Sequence, residues 1–231
     1  MDDLKKQKQK ENKKQIFLFI FIIIEIIIFI FLSLMIFVNG IGPNYPDMDA
    51  EKPIIYLYPT EETEVTVKVG NPENLTHTYP KYENSWKVIA KPNGDLIDLK
   101  TGRNLYALYW EGINTIEPNM TEGFIVKGEN IVKFLEEKLE ILGLNEREAE
   151  EFIVYWLPKL ESNKYNFIRF QTEEEINKNM PLEITPKPDT LIRIVMEFKG
   201  LEKEIEVKEQ KLETPQRNGF TVVEWGGTEI K

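Results

Sequence analysis

Two glutamates of this chain stand beside tryptophan in stretches rich in aromatic residues. Glu111 follows Trp110 in Leu108-Tyr-Trp-Glu-Gly112, and Glu224 precedes Trp225 in Val223-Glu-Trp-Gly226. Cleavage of a glycosidic bond uses this combination. One carboxyl, its pKa raised by an apolar wall, protonates the leaving oxygen, and a second, ionised carboxyl attacks or activates water. A carboxylate-dependent hydrolase acting on glycan through Glu111 and Glu224 is therefore one expectation. The competing expectation makes both glutamates strand-end residues bonded to backbone amides at turns, with their tryptophans in the core. For a binding module, the ring-bearing residues Trp110, Trp225 and Tyr109 are the candidates for contacting a ligand.

Other chemistries are closed to this composition. There is no cysteine, which excludes disulfides, thiolate zinc sites and thiol nucleophiles. The single histidine, His77, excludes imidazole metal clusters, and the Asp47, Asp49 and Glu51 run lacks the glycine and closing glutamate of a calcium loop. No phosphate-cradling glycine loop and no Gly-x-Ser-x-Gly elbow occur, so no metal and no cofactor are expected. His77 shares a strand face with Leu75 and Tyr79 and reads as a semi-buried structural residue. A formal net charge of −10 repels phosphate backbones, which removes nucleic acid from the expected partners.

The first forty residues differ in kind from the rest. Residues 16–38 are apolar except for Glu25 and Ser33. As a helix rising about 1.5 Å per residue, this run would reach about 34 Å, enough for a hydrocarbon core of about 30 Å. One central carboxyl costs on the order of 3 kcal/mol, less than so many apolar side chains return. Six lysines lie before the run and none follows until Lys52. The pattern predicts a cytoplasmic tail (1–15), a single-pass plasma-membrane helix (16–38), a linker (39–51) and an extracytoplasmic domain. The run exceeds the apolar length of a signal peptide, which favours an uncleaved anchor over cleavage after Gly40. Glu25 is then either a carboxyl that pairs with a partner helix or a protonated one tolerated in lipid.

Beyond residue 52 the periodicities predict an α+β fold. Strands are expected at 54–58, 64–69, 75–79, 86–90, 96–99 and 105–110, forming an antiparallel, sandwich-like sheet in a β-rich region, 52–128. Apolar spacing predicts a helical hairpin over 131–142 and 146–160, the second helix opened by an Asn145/Glu148 capping box. A strand over 165–171, a short helix capped by Thr172, a 191–198/204–208 hairpin and a last strand over 219–225 complete a second antiparallel sheet in the α+β region, 129–231.

Lys52-Pro-Ile-Ile-Tyr-Leu-Tyr-Pro59, Leu108-Tyr-Trp-Glu-Gly112 and Gly219-Phe-Thr-Val-Val-Glu-Trp-Gly-Gly227 together resemble an uncharacterised family of bacterial, membrane-tethered proteins. Thr78-Tyr-Pro80 and Tyr155-Trp-Leu-Pro158 are similar to further stations of that family. The resemblance implies localisation and domain extent, and no activity. The leading expectation is a membrane-anchored binding or structural envelope module whose partners are the lipid bilayer and an envelope protein or glycan.

Overall fold

The computed structural model of the chain describes residues 14, 17, 19–31, 48–114 and 117–231, in two compact units, Met1–Tyr45 and Pro46–Lys231. In the first unit, helix α1 runs without interruption over 19–31, with its apolar residues and Glu25 exposed. The transmembrane helix expected over 16–38 is not found. Among the described residues no helix is long and apolar enough to cross a membrane. The continuous run of thirteen residues reaches about 20 Å, short of the roughly 30 Å hydrocarbon thickness. Residues 16, 18 and 32–38 and the linker through Asp47, with the Gly40 cleavage position, lie outside the described residues.

The second unit is α+β with two sheets and helices, and its strands are β1 (Met48–Tyr58), β2 (Thr63–Val69), β3 (Leu75–Tyr79), β4 (Trp86–Ala90), β5 (Leu96–Asp98), β6 (Asn104–Leu105), β7 (Leu108–Asn114), β8 (Glu122–Lys127), β9 (Tyr165–Phe170), β10 (Leu182–Thr185), β11 (Thr190–Leu201), β12 (Lys208–Glu209) and β13 (Thr221–Glu229). The helices are α2 (Ile131–Ile141), α3 (Glu146–Leu160) and the short α4 (Glu173–Asn179). Both expected capping boxes form: Asn145 with Glu148 opens α3, and Thr172 with Glu175 opens α4.

The strands do not divide into a first and a second antiparallel sheet. An eight-stranded sheet has the order β12-β8-β9-β11-β13-β1-β7-β3, and a five-stranded sheet the order β10-β2-β4-β5-β6. The first strand of the domain thus lies between the last strand and β7, and β11 pairs with β13 in parallel. The expected 191–198/204–208 hairpin is absent. Instead β11 continues to Leu201, and 204–206 are exposed. The expected 105–110 strand is interrupted at Tyr106 and Ala107, and β8 and β10 had no clear period in the sequence.

Alternation along β1, β7 and β13 fills two cores, one on each face of the large sheet. Ile54, Tyr56, Val223 and Trp225 point towards α2 and α3, where they meet Leu135, Phe152, Trp156 and Leu160. Ile55, Leu57, Leu108, Trp110 and Val222 point to the small sheet and meet Val65, Val67, Trp86 and Val88. Each such buried side chain contributes about 1.5–3 kcal/mol of transfer free energy. Farther along the second face the large sheet is covered by α4 through charge. Arg169 pairs with Glu197 at 2.9 Å and with Glu175 of α4 at 2.8 Å, and Arg193 reaches Asn177 and the Met180 carbonyl.

Candidate functional site

Glu224 and Glu111 are not brought together. Glu224 points to the small-sheet side, where it is fully buried. Its Oε2 accepts from Arg193 Nε at 2.6 Å, and its Oε1 accepts from the Trp110 indole at 2.9 Å. Trp110 shares that face, so Glu111, the next residue of β7, turns to the opposite one. A carboxylate clamped by a buried guanidinium of β11 and an indole N–H of β7 ties strands of the large sheet together and is closed to substrate. Trp225 is buried against Phe152 in the helix-side core, at 5.3 Å between ring centres. Of the sequence candidates in this unit, Glu111 and Tyr109 reach a surface. Glu25 lies in the separate N-terminal unit.

Around Glu111 the register of the sheet edge builds a platform. In the β3–β7 pair His77 stands opposite Glu111, and Tyr79 opposite Tyr109. All four therefore share the helix-side face at the last strand of the sheet. Tyr79 is 50 % exposed, and the His77 side chain is 71 % exposed. His77 is accordingly an open residue, not the semi-buried one its strand neighbours suggested. Its Nδ1 lies 3.6 Å from Glu111 Oε2, and Glu111 Oε1 accepts from the Lys52 backbone N–H at 3.4 Å. Burial, then the adjacent Glu111 carboxylate, holds the Tyr109 phenol above its ordinary range.

Lys52 sits where β1 slips register against both β7 and β13. Its φ is +61°, the left-handed region, immediately before Pro53. A non-glycine residue held there stores roughly 1–3 kcal/mol, and such strain is concentrated at binding and catalytic sites. The bulge directs the Lys52 ammonium over the rings of Tyr109 at 5.9 Å and Tyr155 at 5.4 Å. From α3, the Tyr155 hydroxyl donates to Glu51 Oε2 at 2.9 Å, and Lys159 pairs with the same carboxylate. Along the α3 stripe 147, 151, 155 and 159, Tyr155 and Lys159 face the bulge, while Glu151 accepts from Tyr56 and Arg147 lies over the Tyr106 ring.

The motif glycines serve this packing. A Cβ on Gly226 would stand 3.0–3.1 Å from Pro53, and one on Gly227 would stand 2.6 Å from the Trp156 ring. Both keep β13 close beneath the bulge and α3. Sequence reasoning missed Glu51, Lys52, Tyr79 and Tyr155 as site residues, and placed His77 without a function. Register and the bulge put them beside Glu111, and neither is encoded in local spacing. Comparisons with protein-family models, with curated proteins and with solved structures find no match for the chain.

Proposed function

We propose that this protein is a binding module, not a hydrolase, and that its ligand is a saccharide held on the Tyr79, Tyr109, His77 and Glu111 platform. The pairing of Tyr79 opposite Tyr109 and His77 opposite Glu111 on one open face carries the reading. A pyranose has an apolar C–H face, which lies on a tyrosine ring, and hydroxyls, which donate to a carboxylate and exchange hydrogen bonds with imidazole. The second carboxylate on that side, Glu51, is already engaged by Tyr155 and Lys159. Glu224 is sealed in the opposite face. The platform therefore offers recognition without the acid and nucleophile pair that glycoside cleavage requires.

Glycan-array screening of the full chain, followed by calorimetric titration of retained sugars, tests this. Tyr79→Ala and Glu111→Gln should each weaken binding at least about tenfold while leaving the fold intact. Binding unchanged in both variants, or no glycan retained, would overturn the reading. Release of reducing ends that disappears in Glu111→Gln would replace it with catalysis.

A further inference from the structure

Strand β8, at the other end of the large sheet, is covered on its outer edge for only part of its length. On its inner side β9 pairs with it from Phe124 to Lys127. On the outer side the two-residue β12 meets only Glu122 and Gly123, where the Gln210 N–H donates to the Gly123 carbonyl at 3.3 Å. Backbone groups in an antiparallel strand reverse direction at each residue, so Ile125 turns its N–H and C=O outward as Gly123 does. Among the described residues no strand pairs with that stretch. An open edge of this kind is a template for another strand.

The edge opens into a groove of about 820 Å³ bounded by β8, α2 and the 204–207 segment. Its floor carries the Phe124 and Phe134 rings, edge to face at 5.2 Å with the Lys138 ammonium over both, and Ile205, 39 % exposed, adds apolar surface. The charges at its rim are unequal. Lys138 is tied to Glu137 at 2.9 Å, and Lys127 lies 3.8 Å from Glu129. Exposed Glu204, Glu206 and Glu209 have no ion-pair partner among the described residues, against a single lysine, Lys133, in the same condition.

We propose that this groove binds a basic, extended peptide of a partner protein, which adds to β8 as a further strand. Its main chain takes the outward Ile125 groups, apolar side chains alternate onto Phe124 and Phe134, and lysine or arginine side chains meet Glu204, Glu206 and Glu209.

Fluorescence anisotropy with the full chain and an alternating Lys-Val heptapeptide tests this. The same peptide with glutamate for lysine, and a backbone N-methylated form, serve as comparators. The lysine peptide should bind at least about tenfold more tightly than either, and its affinity should fall with salt. Neutralising the rim in Glu204→Gln/Glu206→Gln/Glu209→Gln, all exposed positions, should remove the preference over the glutamate peptide, and leave that over the N-methylated one, without changing the circular dichroism. Equal affinity for the three peptides, or an unchanged preference over the glutamate peptide in the triple variant, would overturn the proposal. So would a dimer in sedimentation whose formation displaces the peptide, since the edge would then belong to a second copy.

Discussion

Removing Glu224 and removing Glu111 uncover different things, although the two residues have nearly the same sequence surroundings. Glu224 neutralises a guanidinium that is itself buried and satisfies the indole N–H of Trp110. In Glu224→Ala the Arg193 charge stays in the interior with only Asn177 and the Met180 carbonyl as partners. Stranding a buried charge costs about 3–5 kcal/mol, far above the effect of a typical surface change. Glu111 is 27 % exposed in its side chain, and its neighbours are a backbone N–H, an open imidazole and the Tyr109 phenol, none of them a buried charge. Glu111→Gln should change stability by less than about 1 kcal/mol. Urea unfolding of the two variants checks this, and equal midpoints would contradict the division of roles. The aromatic-Glu-Gly pattern was legible in the sequence as a candidate pair. Which face each member occupies was not, because one residue of register reverses it.

At the scale of elements, the helices and most strands follow from local pattern, and the pairings between them do not. The boundaries of α2 and α3, and the caps of α3 and α4, are set by apolar stripes and by side chains three residues apart, both of which are local. The insertion of β1 between β7 and β13 joins the two ends of the domain and leaves no local trace. The docking of α3 on β1 is equally non-local, and beside its apolar core it carries three tyrosine–glutamate contacts. Tyr56 donates to Glu151 at 2.8 Å, Tyr155 to Glu51 at 2.9 Å, and Tyr58 lies by Glu148; a fourth such pair, Tyr109 by Glu111, lies within β7. Burial first, and then the neighbouring carboxylate, raises all four phenols above their ordinary value. A phenol with a raised folded pKa adds stability that is fully present below its unfolded value of about 10 and is lost as pH climbs through the folded value. Ultraviolet titration should therefore find these four tyrosines still protonated at a pH where an ordinary phenol has ionised. Stability should fall steeply above pH of about 10, and less steeply in Tyr56→Phe. Ionisation of all nine tyrosines in one ordinary step would remove the tyrosines from the docking of α3.

For the folded domain as a whole, the arrangement of its two cores decides how it comes apart. The sequence predicted two sheet regions flanking a helical hairpin, which would have allowed each region to keep its own interior. Instead β1, β7 and β13 supply side chains to both interiors, through Ile54 and Tyr56 on one face and Ile55 and Leu57 on the other. The small sheet cannot retain its core once these strands leave, nor can the helical hairpin. The ion pairs beneath α4 add a second tie, since Arg193 joins β11 both to β13 and to the chain following α4. Hydrogen exchange followed by mass spectrometry at increasing urea measures this directly. The slowest amides of β2 and β4, in the small sheet, should open at the same free energy and with the same urea dependence as those of α3. If β2 and β4 exchanged through a smaller opening while α3 stayed protected, the small sheet would be a separate cooperative unit, and the shared strands would not couple the two faces.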